Sequence, residues 1–65
     1  MDSLILAFLE NKVEGESAEA ICKDVSKFFN LGNVRIEEHL DDMVDGGKLQ
    51  CFHLGGLLRY AINQP

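Results

Sequence analysis

Residues 28–49 read FFNLGNVRIEEHLDDMVDGGKL. Within them Ile36, Leu40, Met43 and Val44 recur at i, i+4, i+7 and i+8, a spacing that puts their side chains on one stripe of a helix. The spacing predicts a helix over 33–45. Gly46-Gly47 ends it, because glycine enters the left-handed conformation after a last helical turn without a Cβ clash. Ahead of the helix, Asn30-Leu31-Gly32-Asn33 offers residues that tolerate positive φ and a good N-cap, so the chain can turn sharply between two helices.

Upstream, residues 2–12 read as a first helix, with Asp2 or Ser3 as N-cap. Leu4, Ile5, Phe8 and Leu9 form its apolar stripe, and Leu6 and Ala7 widen it. Residues 11–16 break the pattern and read as a loop. Ser17 is the expected N-cap of a second helix over 18–29, with Glu19 in its first turn. Ile21, Val25, Phe28 and Phe29, with Cys22 beside them, line its inner face, while Lys23, Asp24, Ser26 and Lys27 face outward. Phe28 and Phe29 are therefore expected in the core.

Downstream of Gly47 the apolar period changes from 3.6 to 2. Residues 48–53 and 57–62 form two short runs around Gly55-Gly56, a dipeptide suited to the two-residue hairpin turns that demand positive φ. This turn fixes a register in which Leu54 opposes Leu57, His53 opposes Leu58, Cys51 opposes Tyr60 and Leu49 opposes Ile62. One face then carries Leu49, Cys51, His53, Leu58, Tyr60 and Ile62 and is expected to pack on the helices. The other carries Gln50, Phe52, Leu54, Leu57, Arg59 and Ala61. Three large apolar groups on an outward face, Phe52, Leu54 and Leu57, make a candidate contact surface.

The Phe29-Asn30-Leu31-Gly32 turn, the inward Ile36, Leu40 and Met43, and the exit at Gly47 together resemble the winged helix-turn-helix superfamily. The resemblance implies an α+β fold: three helices, then a two-stranded β-hairpin wing, with a very short strand within 11–16. In winged-helix regulators the third helix enters the major groove. By position, that role would fall to the outward residues Asn33, Arg35, Glu37, Glu38, Asp41, Asp42 and Asp45, of which only Asn33 and Arg35 at the helix N-terminus suit DNA, with Lys48 and Arg59 on the wing and Lys23 and Lys27 on the second helix as phosphate contacts. Met1-x-Ser3-Leu4-Ile5 and Gly47-Lys48 are also similar to the small winged-helix proteins of bacterial ferrous-iron transport, although the wing lacks their cysteine cluster. Gly47-Lys48-Leu49 is similar to the end of the third helix in winged helices that bind left-handed DNA. Their Pro-Pro-x-Trp wing and third-helix tyrosine are missing, which sets that reading aside.

At 65 residues and 46% apolar content, the chain reads as a single domain over 1–65, near the size where one core is marginal. No apolar run approaches the length of a bilayer span, and the start lacks a basic signal-peptide segment, so an intracellular protein is expected. Cys22 and Cys51 are expected as free thiols. The net charge of −5, from 11 acids against 6 bases, disfavours nucleic acid, whose affinity comes from Lys and Arg displacing counterions.

The outward positions of the third helix sharpen that point. They are Asn33, Arg35, Glu37, Glu38, Asp41, Asp42 and Asp45, mostly acids that phosphates would repel. Cys22, His39, Cys51 and His53 are ligand types but follow no paired spacing, so no metal or other cofactor is expected. No nucleophile motif or phosphate loop is present, and an enzyme is not expected. The expected function is an interaction module, in which acidic Glu37, Glu38, Asp41 and Asp42 and apolar Phe52, Leu54 and Leu57 dock a basic or amphipathic protein segment or a second copy. The alternatives are a small DNA-binding regulator using Asn33, Arg35, Lys48 and Arg59, and a regulatory protein of ferrous-iron transport.

Overall fold

The computed structural model describes residues 1–63, in the order α1 (Asp2–Leu9), β1 (Glu16–Ser17), α2 (Ala18–Val25), α3 (Asn33–Asp45), β2 (Leu49–Leu54) and β3 (Leu57–Ile62). The fold is α+β: three helices and an antiparallel three-stranded sheet of order β1-β3-β2.

Local chemistry accounts for most of the boundaries. The Ser17 hydroxyl accepts from the Ala20 N–H at 3.2 Å and caps α2. The α3 end is a Schellman closure: Lys48 N–H donates to Met43 O at 2.9 Å, and Gly47 N–H donates to Val44 O at 3.0 Å. Between β2 and β3, Gly55 and Gly56 both take positive φ, 62° and 81°, as a type I′ turn requires. The register follows from that turn, with Leu54 opposite Leu57, Cys51 opposite Tyr60 and Leu49 opposite Ile62.

Three expectations about the helices need correction. Neither Asp2 nor Ser3 caps α1: the N-cap is Met1, without a side-chain bond, and the Asp2 carboxylate turns instead to His39 and Lys48. The first helix stops at Leu9 rather than 12, because Lys12 N–H bonds Leu9 O and Gly15 N–H bonds Lys12 O in successive tight turns. The second stops at Val25 rather than 29. There the Ser26 hydroxyl bonds back to Cys22 O, and Lys27 and Phe28 N–H close three-residue turns on Asp24 and Val25. That tightening takes the aromatic pair off the apolar stripe: Phe28 is 67% exposed and Phe29 38%.

The core is built from Ile5 and Leu9 of α1, Ile21, Cys22 and Val25 of α2, Ile36, Leu40 and Met43 of α3, Leu49 of β2 and Tyr60 of β3. Only the base of the hairpin joins it. Cys51, His53 and Leu58, expected to pack on the helices, are exposed. Two six-residue strands reach about 20 Å, so the tip extends past the helices that bury its base.

The short strand β1 is held by Gly15, which is buried with φ +69°. A Cβ built on it would lie 2.1 Å from Tyr60 O. Only glycine permits both this conformation and this approach, and the contact seats Glu16 and Ser17 opposite Tyr60 and Arg59.

Candidate functional site

Ile36, Leu40 and Met43 turn one face of α3 into the core, which leaves Arg35, Glu37, Glu38, Asp41, Asp42 and Asp45 exposed on the other. The charges run against the helix. A helix N-terminus favours acids and its C-terminus bases, yet α3 has no acid in its first turn and no base in its last. Among the described residues, Glu37, Glu38, Asp42 and Asp45 make no salt bridge or side-chain hydrogen bond. Asp41 accepts from the Tyr60 hydroxyl at 3.3 Å. Burial, reinforced by the Asp41 charge, pushes the Tyr60 phenol up to about 12. The buried Cys22 thiol is likewise raised, first by burial and then by Glu37.

The six cations divide into two groups. Lys48 Nζ lies 2.6 Å from Asp2 Oδ2, and His39 Nε2 contacts the other carboxylate oxygen, so Lys48 and then His39 hold Asp2 below the usual carboxylate range. Arg59 donates from Nε to Glu14 O at 2.9 Å and from Nη2 to Gly15 O at 2.8 Å, and stands 3.7 Å from Glu16 Oε1. Lys12 Nζ donates to Phe8 O at 2.8 Å and lies 4.4 Å above the Phe8 ring. Lys23, Lys27 and Arg35 are exposed and, among the described residues, form no salt bridge.

The expected nucleic-acid set is therefore split. Asn33 and Arg35 are exposed at the start of α3, but Lys48 clamps α1 and Arg59 clamps the β1 loop. Neither of these two is a free phosphate ligand.

Apolar surface is exposed in two places. At the hairpin tip Leu54 is 41% exposed, Leu57 58% and Leu58 40%, with Phe52 half-buried beside them. Leu58 joins this surface from the face expected to be covered. The second place is the α2–α3 turn, where Phe28, Phe29 and Val34 are exposed close in sequence to the three unpaired cations. The periodicity hid this patch by assigning both phenylalanines to the core. Ser26 after Val25 was the available signal, since serine bonds back to the helix carbonyls and weakens a terminal turn.

Both cysteines are free, Cys22 buried and Cys51 exposed. Among the described residues no three His, Cys, Asp or Glu side chains are grouped as a metal site, and no helix is long and apolar enough to cross a membrane.

The fold and these surfaces define a small α+β domain with an acidic helix and an apolar hairpin tip. Comparison with protein-family models, curated proteins and solved structures finds no match.

Proposed function

We propose that this chain is a non-catalytic interaction module of the winged-helix type, docking a basic amphipathic protein segment through α3 and the hairpin tip. The observation that carries the reading is the charge order of α3. Asp42 and Asp45 sit in its last turn, where they oppose the helix dipole, and among the described residues neither has a compensating partner, a local cost of the kind proteins keep at working surfaces. The adjoining hairpin supplies exposed Leu54 and Leu57 to cover the apolar side of such a segment. The helix-turn-helix order followed by a hairpin supports the winged-helix assignment, and with it a place in a gene-regulatory or genome-maintenance assembly.

The DNA-binding alternative is weakened by the engagement of Lys48 and Arg59 and is left with Arg35, Lys23 and Lys27. An NMR titration separates the two readings. A basic amphipathic helical peptide should shift Glu37, Glu38, Asp42, Leu54 and Leu57, and the shifts should vanish after charge reversal of Glu37, Glu38 and Asp42. Asp41 is left intact because it holds Tyr60. Random-sequence duplex DNA at low salt should shift nothing. Salt-sensitive shifts at Arg35, Lys23 and Lys27 with DNA, and none with the peptide, would reverse the assignment.

A further inference from the structure

The sheet order β1-β3-β2 leaves β2 with a neighbour on one side only. Which of its backbone groups face outward follows from the turn. In a two-residue hairpin the closing pair, here Leu54 and Leu57, exchanges hydrogen bonds, and alternate pairs repeat this along the ladder. Gln50 and Phe52 therefore also bond β3. Asn63 N–H donating to Lys48 O at 3.1 Å continues the same phase at the far end. Leu49, Cys51 and His53 must then direct their N–H and C=O away from β3. Leu49 is buried, at 1% exposure, whereas Cys51 and His53 are exposed. The open edge is thus the backbone of Cys51 and His53.

We propose that this edge pairs with the β2 edge of a second copy, antiparallel about a two-fold axis at Phe52. An outward residue must face an outward residue to exchange both bonds, and the two accessible ones satisfy each other only in this register. Cys51 then faces His53 of the second copy, and His53 faces its Cys51, giving four backbone hydrogen bonds. Phe52 lies opposite its symmetry mate in the close, non-bonded type of pair that favours aromatic contact.

The composition of β2 permits contact between like chains. All eleven acids lie within residues 2–45 and residues 46–63 contain none, so the strand brings no acid of its own to the contact; the acids nearest to it are on α3, where Asp41 accepts from Tyr60, the residue opposite Cys51. Lys48 and Arg59 of this segment are already held by Asp2 and Glu16. The devices that usually blunt an edge are missing as well: β2 contains no proline and no Lys, Arg, Asp or Glu, and its register with β3 runs without a bulge. The pairing does not rest on the acidic-helix reading, because it uses the backbone of β2.

Amide hydrogen exchange measured on the full chain from micromolar to millimolar concentration tests the proposal. The Cys51 and His53 amides should slow by about tenfold or more at high concentration while the Gln50 and Phe52 amides, already bonded to β3, change less. Sedimentation should show a monomer–dimer equilibrium over the same range. Cys51→Pro removes an outward N–H without touching the β3 ladder and should leave a folded monomer. Should that variant misfold, a mixed-isotope sample of the natural chain still decides, through an intermolecular contact between the two Phe52 Hα protons. A chain that stays monomeric at millimolar concentration, concentration-independent exchange at Cys51 and His53, or a dimer that survives in folded Cys51→Pro would each overturn the proposal.

Discussion

Gly15 governs a large part of the topology for a residue with no side chain. Its positive φ and its approach to Tyr60 O let β1 reach β3. Gly15→Ala should destabilise the domain by about 3 kcal/mol, combining left-handed strain with displacement of β1. Denaturant unfolding would measure it, and a loss below about 1 kcal/mol would show that β1 can shift at little cost. Tyr60 offers a pH test. Its phenol ionises near 10 in an unfolded chain and at about 12 in the fold. The fold therefore favours the protonated ring. Its contribution to stability is whole below pH 10 or so and declines between about 10 and 12, where the unfolded chain releases the proton first. Ultraviolet titration is unambiguous, because the chain has one tyrosine and no tryptophan. A midpoint near 10 would mean that the ring is solvated. Gly15 was not legible in advance, because it sat in a stretch without periodicity; alternation placed Tyr60 on the inward face, where it is buried, but not its contact with Asp41, which joins a strand to a helix across the fold.

Elements were more legible where a single local rule set them. The α3 limits, the Ser17 cap and the hairpin register rest on short-range chemistry: a glycine pair after an apolar stripe, a hydroxyl before a helix, two glycines between alternating runs. The C-terminal ends of α1 and α2 were not, because an apolar stripe marks a face without saying where the helix stops. Phe28 measures that failure. Placed in the core by period, it lies 67% exposed. Phe28→Ser should change stability by less than about 0.5 kcal/mol, whereas Ile36→Ala, at a fully buried position on the neighbouring helix, should cost about 2–5 kcal/mol. Chemical denaturation of the two variants would compare them directly. A large loss at Phe28 would return it to the core. The candidate contact residues divide in the same way. Alternation along the hairpin correctly left Leu54 and Leu57 outside, but it also expected cover over Cys51, His53 and Leu58, and strand length beyond the helices denies them that cover.

Across the whole molecule, the sequence separates charge more sharply than its net value suggests. The first 45 residues carry every acid, and the last third is an apolar hairpin whose two full cations are tied back to the acidic part by Asp2 and Glu16. These ties are why the basic residues of the hairpin could not be judged from sequence. A lysine and an arginine on a hairpin read as free charges until the fold shows what they hold. The same ties have a temporal side. Arg59 reaches Gly15 across 44 residues of the chain, and β1 meets β3 over a similar separation. The helices and the hairpin, by contrast, are made of near neighbours. Closing so wide a loop costs entropy before any contact offsets it. The local pieces should therefore form early, and the clasp between the two ends of the chain should close last as it folds and open first as it unfolds.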